Sequence, residues 1–278
     1  MSGKLYAGVG GVARKVKHLY VGVDSTARKV KRMYAGVSGV AELVFSSEIT
    51  ITLNGAPGET ISYTGEASGN VTLNSSGIYA GLVLNSGNYT FTGSISGYSK
   101  NIDLDDDGTV NVYPDRALFW YGNGDTSGDS LYDKCGGFAG SSYESSFFGP
   151  DYYAASPSVS VGTNSVMFTL SAGTNKHDGS AWMNTAFTVP EGATIKAVVG
   201  GGANGIYRYA DLAASKVNPY TPNPATPSIG TITSSVQTLS ADLSSYSGDT
   251  RLFVVTLGYN STAGYTSIAA TLYALWLE

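Results

Sequence analysis

A short acidic run has the residue types and spacing that are most typical of a metal site. Asp103, Asp105 and Asp107 alternate along the chain, and Gly108 follows them. Oxygen ligands at positions 1, 3 and 5 with glycine at position 6 match the first half of a calcium-binding loop. Position 12 should be acidic and is Pro114 instead. The run therefore has two interpretations: a calcium site, the only cofactor that the sequence suggests, or the Asp-Asp-Gly turn of a hairpin.

The residues that catalysis needs are sparse. His18 and His177 lie in different segments, and the single cysteine, Cys135, has no histidine near it in sequence and no partner for an intramolecular disulfide. We interpret the run 176–179 as a polar loop. The glycine-rich run 200–205 lacks the Lys-Ser/Thr pair and the helix of a phosphate-binding loop. We therefore predict that the chain is not an enzyme.

Aromatic residues beside polar ones are the remaining candidates for a ligand site. Sugars present flat apolar faces that stack on Trp and Tyr, while their hydroxyls pair with Asp, Asn and Arg. The alternative is that these rings pack in a core or a subunit interface. The candidate glycan-binding residues are Trp120, Tyr121, Asn123, Asp125, Trp182, Tyr207, Arg208 and Tyr209.

The first 45 residues repeat one motif three times with a period of 14 residues. A fixed internal period indicates one supersecondary unit in tandem copies. Each copy predicts two strands and a turn, and the turns predict a meander whose long strands are roughly Ala13–Val23 and Ala27–Val37. In the third copy Ala-Arg-Lys-Val-Lys becomes Ala-Glu-Leu-Val-Phe, at 41–45. That exchange of charge for apolar surface indicates contact with the next domain.

Charge divides the chain unevenly. Residues 1–45 hold eight Lys and Arg against two acids, a net charge of +6, whereas the remainder holds eight against nineteen, a net charge of −11. A basic block on an acidic body favours docking to an acidic partner, and we expect a protein rather than nucleic acid. The alternative is that these cations keep exposed strand edges from pairing wrongly. The candidate docking residues are Arg14, Lys15, Lys17, Arg28, Lys29 and Lys31.

Composition predicts an all-β protein. Charged residues are only 13% of the chain, and 36 Gly and 20 Tyr suit tight turns and pleated surfaces. We predict N-terminal hairpin or meander repeats over 1–46, a small Ig-like sandwich over 47–115, and a jelly-roll-like sandwich over 116–278. The N-terminus lacks the apolar core of a signal peptide, so we expect a product that stays in the cytosol until lysis.

Two segments resemble known families. Gly87–Phe91 with Gly97–Lys100 resembles the prealbumin-like modules that serve as spacers in surface and tail proteins. The segment Tyr20–Lys31 resembles the N-terminal repeats of structural proteins from phages and prophages of Gram-positive bacteria. The resemblance implies a virion component, tail or baseplate associated, with variable β domains after the repeats. Our first hypothesis adds that the C-terminal domain binds a host-surface glycan. The alternative that it leaves open is a capsid decoration or head-fibre protein with a purely structural role. Both imply a homo-oligomer, expected to be a trimer, without membrane insertion.

Overall fold

The structure is a computed structural model, which describes residues 5–9, 12–16, 19–23, 25–30, 32–37, 40–121, 138–141, 153–162, 164–171, 176–201, 208–216, 228–260 and 267–278. Within these ranges the chain consists of β-strands and one short 3-10 turn, Ser244–Tyr246, so the predicted all-β class is confirmed. The same ranges contain no helix that is long and apolar enough to cross a membrane. The chain divides into two compact units, Met1–Tyr113 and Pro114–Glu278.

The repeats form three separate antiparallel hairpins, which we call the hairpin array. A backbone hydrogen bond closes the base of each of the first two hairpins, from Val16 N–H to Leu5 O and from Val30 N–H to Leu19 O, both at 2.7 Å. The predicted long strands were therefore wrong, because pairing ends at each base. The strands of the array are β1 (Tyr6–Val9), β2 (Val12–Lys15), β3 (Tyr20–Val23), β4 (Thr26–Lys29), β5 (Arg32–Val37) and β6 (Val40–Ser46).

Turn chemistry explains why each repeat forms a hairpin. Val9 pairs with Val12 and Val23 pairs with Thr26, so only two residues connect the strands. Two-residue hairpin connections favour turns with positive φ, because their twist matches that of the strands. Ser25 has a φ of 64°, within this left-handed region. The Gly, Asp and Ser residues at these positions in the sequence are among the types that accept such a conformation most readily.

The third hairpin differs from the first two at its last strand. A register shift in β5 makes Met33 pair with Phe45. Phe45 is only 2% exposed, at the position that the other copies give to lysine. An ion pair between Arg32 and Glu48 joins β5 to the first residue of β7 (Glu48–Asn54). The third hairpin is thus linked by an ion pair to the chain that follows.

A small sandwich of two sheets follows the array. Its three-stranded sheet has the order β10-β7-β13, and its four-stranded sheet has the order β12-β11-β8-β9. Buried side chains of both sheets, among them Leu53, Ile61 and Phe91, form one core. The remaining strands are β8 (Thr60–Gly65), β9 (Gly69–Thr72), β10 (Ile78–Asn85), β11 (Gly87–Gly93), β12 (Ser99–Leu104) and β13 (Gly108–Asn111).

A buried carboxylate connects two loops of the small sandwich. Glu59 is fully buried, and its Oε2 accepts a hydrogen bond from Ala56 N–H at 3.0 Å. Its Oε1 accepts three more, from Ile95 N–H at 3.0 Å, from Ser96 N–H at 2.8 Å and from the Ser96 hydroxyl at 2.7 Å. Burial of a carboxylate is costly unless its oxygens are hydrogen-bonded. Glu59 therefore holds the turn before β8 against the loop after β11.

The second unit is a larger sandwich of two mainly antiparallel sheets. The six-stranded sheet has the order β17-β18-β26-β21-β24, with β14 beside β26, and the seven-stranded sheet has the order β15-β19-β25-β22-β23, with β16 beside β19 and β20 beside β25. Its strands are β14 (Ala117–Trp120), β15 (Phe138–Ser141), β16 (Tyr153–Ala154), β17 (Ser158–Val161), β18 (Val166–Leu170), β19 (Lys176–Met183), β20 (Phe187–Thr188), β21 (Thr194–Gly200), β22 (Arg208–Lys216), β23 (Ser228–Thr231), β24 (Gln237–Asp242), β25 (Thr250–Asn260) and β26 (Ile268–Leu277).

One core lies between these two sheets. The six-stranded sheet contributes Phe168 and Ile195, and the seven-stranded sheet contributes Leu212 and Val255. The architecture agrees with the predicted two-sheet sandwich. The interpretation of 176–179 as a polar loop was wrong, because these residues begin β19 and pair with β25.

Arg251 is a buried cation at one end of this sandwich. Its Nη1 donates to Ala214 O at 3.0 Å, and its Nη2 donates to Asp249 Oδ2 at 2.7 Å. The guanidinium carbon lies 4.1 Å from the ring centroid of Tyr246. A buried guanidinium needs such partners to offset its lost hydration. Arg251 thereby connects β25, β22 and the 3-10 turn.

Candidate functional site

The outer side of the six-stranded sheet is a polar face that the core does not use. Alternation along β18 buries Val166, Phe168 and Leu170 and turns Met167 and Thr169 outward, with Met167 41% exposed. The same alternation places Ser and Thr on the outer side of the neighbouring strands. We call this surface the hydroxyl face, and its members are Ser158, Ser160, Met167, Thr169, Lys196, Thr238, Ser240, Thr271 and Tyr273.

Strand register aligns these side chains in rows. Ser160 pairs with Met167, Met167 with Thr271, and Thr271 with Gly200, which makes one row across four strands. Adjacent strands lie about 4.8 Å apart, so the row extends over roughly 14 Å. Hydroxyl groups both donate and accept hydrogen bonds. Ser160 and Thr271 supply the hydroxyl groups of this row, and these can pair with hydroxyl groups of a ligand.

A β-bulge interrupts β26 in the middle of this face. Val199 pairs with Leu272 and Val198 pairs with Ala274, so Tyr273 is an additional residue between two consecutive pairs. Bulges redirect side chains and are frequent beside functional sites. Tyr273 is half-buried, and its carbonyl oxygen accepts a hydrogen bond from Tyr121 N–H at 2.6 Å. The bulge therefore adds a tyrosine to this part of the sheet, and its ring centroid lies 6.3 Å from that of Tyr121.

A charged pair borders the face at the end of β26. Trp276 Nε1–H donates to Glu278 Oε1 at 3.0 Å, and Lys196 Nζ lies 2.5 Å from Glu278 Oε2. Lys196 and Trp276 are cross-strand partners, which brings these groups together. The hydrogen bond from Lys196, and secondly that from Trp276, lowers the pKa of the Glu278 carboxyl below its ordinary value. Glu278 is thus held as a carboxylate at neutral pH.

Two of the predicted glycan-binding aromatics are buried. Trp120 is 2% exposed and Tyr121 is 6% exposed, so neither ring faces solvent as stacking requires. Trp120 packs edge-on against Tyr121 and Trp276, with ring centroids 5.3 and 5.6 Å away. Tyr121 has a φ of 42°, which is uncommon for a bulky residue. Both residues support the strand ends around Tyr273 and provide no binding surface themselves.

The other predicted glycan-binding residues belong to the seven-stranded sheet or lie outside the described residues. Trp182 is half-buried on the outer side of β19, between the buried Ala181 and Met183. Trp182 pairs with Val254 on β25, and Tyr209 of β22 pairs with Gly258 on the same strand. Both residues therefore belong to the seven-stranded sheet, whereas Trp120 belongs to the six-stranded sheet. Arg208 is the first residue of β22. Asn123, Asp125 and Tyr207 are among the residues that the structure does not describe, as are His18 and Cys135.

The predicted docking cations lie on the first two hairpins. Arg14 and Lys15 belong to β2, and Arg28 and Lys29 belong to β4, whereas Lys17 and Lys31 fall outside the described residues. Tyr6 pairs with Lys15, and Tyr20 pairs with Lys29, at equivalent positions of the two hairpins. The 14-residue period therefore gives each of these two hairpins the same combination of one tyrosine and two cations.

The acidic run forms a turn, but not the turn of a hairpin. β12 and β13, which flank it, belong to different sheets, and β13 runs parallel to β7. The hairpin interpretation was therefore wrong. Asp107 Oδ1 accepts a hydrogen bond from Thr50 N–H at 2.7 Å, and Asp103 pairs with Asn88 across the sheet. In the described part of the chain no three His, Cys, Asp or Glu side chains converge as metal ligands, and this includes Asp103, Asp105 and Asp107.

Comparison with known proteins gives likenesses only among solved structures. No protein-family model and no curated protein matches the chain. The chain is similar to the glycoside hydrolase domain of Endo-D from Streptococcus pneumoniae R6, with 20% identity, a TM-score of 0.33, and 44% of this chain and 20% of that chain covered. The chain thus spans about a fifth of that protein's length.

Two further likenesses concern carbohydrate-related proteins. Carbohydrate-binding modules of the β-sandwich superfamily share 9% identity with a TM-score of 0.35, over 84% of this chain and 98% of that chain. SGBP-B from a xyloglucan utilization locus of Bacteroides uniformis shares 9% identity with a TM-score of 0.27, over 95% and 87%. Because all of these TM-scores are below 0.5, the likenesses carry no argument about function.

Residues that the sequence analysis missed dominate the candidate site. Lys196, Tyr273, Trp276 and Glu278 were not singled out. The last three belong to the final run of the chain, which has the composition of a buried strand, and only the pairing of β21 with β26 brings Lys196 beside them. Tyr273 and Trp276 are three positions apart, which in a regular strand places them on opposite faces. Only the bulge brings both to the same side, and a bulge leaves no clear signal in the sequence.

Proposed function

We propose that this chain is a structural protein of a bacteriophage particle, tail or baseplate associated, that attaches through its hairpin array. The array is the attachment element, and the C-terminal sandwich binds a glycan on the host surface without catalysing a reaction. In this proposal the protein is assembled in the host cytoplasm, resides in the virion and is released by lysis. The resemblance of Tyr20–Lys31 to phage structural proteins supports the particle assignment.

The observation that carries the proposal is the array's lack of a core. Among the array residues whose side chains the structure describes, none before Phe45 is buried. A two-stranded hairpin alone is marginally stable at best in water, and these described side chains are half-buried or exposed. A segment of this kind becomes stable by binding a partner, and this supports an assembly role.

The hydroxyl face supports the glycan-binding part of the proposal. It combines hydroxyl groups of Ser and Thr on four strands, a half-buried tyrosine at Tyr273 and an ion pair between Lys196 and Glu278. Aromatic rings bind the apolar faces of sugars, and hydroxyl and charged groups pair with sugar hydroxyls. We place the glycan on this face, and not on the residues that the sequence suggested.

A truncation tests the attachment role. Deleting residues 1–31 removes the first two hairpins and keeps the third, with Phe45 buried. Particles that assemble with this variant should lack the protein, while its circular dichroism and the thermal unfolding of its C-terminal sandwich match those of the full chain. Incorporation at the wild-type level would refute attachment through the array.

A matched pair of substitutions tests glycan binding. Thr271→Val alters the hydroxyl face, and Thr256→Val makes the same change on the outer side of the seven-stranded sheet. If the hydroxyl face binds the glycan, Thr271→Val weakens binding about two- to twelvefold, since one hydrogen bond contributes about 0.5–1.5 kcal/mol. Thr256→Val then leaves binding unchanged. A full chain that binds nothing on a glycan array and fails to adsorb to host cells would favour the alternative, a capsid decoration or head-fibre protein with a purely structural role.

A further inference from the structure

The hairpin array exposes aromatic and apolar side chains that its own chain leaves uncovered. Tyr6, Tyr20 and Tyr34 occupy equivalent positions and are 57%, 58% and 54% exposed. Val12 and Val21 are 59% and 50% exposed. An aromatic side chain can bury about 150–250 Å², so the three tyrosines alone leave roughly 250–420 Å² accessible. This area is a sum over three separate hairpins, and exposed aromatic side chains repeated at equivalent positions favour a protein partner.

The charge of the array decides between its potential partners. Residues 1–45 carry a net charge of +6, and Arg14, Lys15, Arg28 and Lys29 lie on the strands of the first two hairpins. Packing the array against the same array of another copy would bring like charges together, which costs free energy. The exposed valines favour a protein surface over nucleic acid, because nucleic acids present no aliphatic surface of comparable size. The array therefore fits an acidic protein surface.

An acidic protein surface is present on the chain itself. The residues after the array carry a net charge of −11. Among the described residues their densest acidic run is the turn between β12 and β13, where Asp103, Asp106 and Asp107 are exposed. The exposed Glu66 follows β8, and its side chain lies against Gly87. Gly87 precedes Asn88, which pairs with Asp103 across the sheet. One end of the small sandwich is thus strongly acidic.

We propose that the hairpin array of one copy docks on the acidic end of the small sandwich of a second copy. The contact is heterologous, because two different surfaces meet, and such contacts close into rings when the rotation permits. A three-membered ring gives the trimer that the sequence led us to expect. The inference rests on the proposed role of the array as an assembly element, and it names the first partner that the array binds.

Sedimentation equilibrium of the full-length chain over a range of protein and salt concentrations tests this contact. The wild type should associate at micromolar concentrations in 50 mM salt and dissociate as salt rises, since the Debye length falls from about 10 Å at 0.1 M to about 3 Å at 1 M. Arg14→Glu with Arg28→Glu should abolish association. Lys100→Glu with Arg116→Glu, which changes net charge equally on the body, should retain it.

Mixing two charge-reversed variants is the decisive experiment. Asp103→Lys with Asp106→Lys should also yield a monomer. Mixing this variant with the Arg14→Glu, Arg28→Glu variant should restore association, because the unchanged array of the first then meets the unchanged acidic turn of the second. Circular dichroism establishes that each variant is folded.

Three results would overturn the inference: a wild type that stays monomeric at 100 µM in low salt, variants that associate like the wild type, or a mixture that remains monomeric. Binding of the monomeric wild type to single-stranded DNA through the array would also overturn it. If the chain is monomeric but the 1–31 deletion still prevents incorporation into particles, only this inference fails and the proposed function stands.

Discussion

Replacement of Glu59 tests whether one buried carboxylate controls the stability of the small sandwich. Its two oxygens accept four hydrogen bonds, from Ala56, Ile95 and Ser96. Hydrogen bonds to charged groups contribute about 1.5–3 kcal/mol each, and a buried donor left without a partner costs about 1–3 kcal/mol. Ile95 is an exposed residue, so water can replace part of what its N–H loses. We therefore expect Glu59→Ala to destabilise the sandwich by about 3–6 kcal/mol.

Glu59→Gln gives an intermediate result with a distinct cause. An amide keeps one carbonyl oxygen, which can still accept hydrogen bonds from Ser96. Its NH2 group would then face Ala56 N–H, donor against donor, where Glu59 Oε2 now accepts at 3.0 Å. The loss of one charge-assisted hydrogen bond predicts a cost of about 1.5–3 kcal/mol. The order of stability should be wild type, Gln, Ala.

Urea unfolding of the full-length chain measures these differences, with the transition of each unit fitted separately because multi-domain chains depart from two-state behaviour. Glu66→Gln is the matched control, since Glu66 is an exposed carboxylate of the same sandwich and exposed substitutions typically change stability by less than about 0.5 kcal/mol. Hydrogen exchange at Ser96 N–H should accelerate in both Glu59 variants. Glu59→Ala with wild-type stability, or a Gln variant less stable than Ala, would refute the reasoning.

Three further predictions concern single contacts. Phe45→Lys restores the residue of the other repeats at a buried position, and we expect a loss of about 3–5 kcal/mol in urea unfolding, the range for large core truncations. Arg251→Ala breaks buried charged hydrogen bonds and should lower the stability of the C-terminal sandwich by about 3–5 kcal/mol, with the other unit's transition unchanged. Because Lys196 lowers the pKa of Glu278, this carboxylate stabilises the folded state above about pH 4.3, the ordinary pKa of glutamate. That stabilisation is lost as the pH falls through the lowered pKa. The fluorescence of Trp276 should change in that acidic window in the wild type and not in Glu278→Gln; an identical titration in both would contradict the assignment.

Local chemistry explains the parts of the fold that the sequence predicts well. The repeat period and its turn residues predict three two-strand units, because two-residue turns depend on the residues within them. The long run of β-branched and aromatic residues in β25 is typical of a buried central strand, and β25 lies between β19 and β22. These features depend on neighbours in sequence alone.

The features that the sequence does not predict depend on tertiary partners. Lys176–Gly179 lacks strand-forming residues, and it becomes part of β19 because β25 supplies its hydrogen bonds. Trp120 is as consistent with a stacking platform as with a packed ring until β26 is placed beside it. The same holds for the hydroxyl face, since the rows that define it arise from the pairing of strands that lie far apart in the chain.

The closed base of each hairpin has a consequence for how the protein can evolve. The backbone hydrogen bonds at Val16 and Val30 complete each unit within its own 14 residues. Duplication or loss of one such unit in the gene adds or removes a whole hairpin and shifts no pairing elsewhere. The number of hairpins in this segment is therefore adjustable in whole steps. Only the last unit is fixed, because the ion pair between Arg32 and Glu48 joins it to β7.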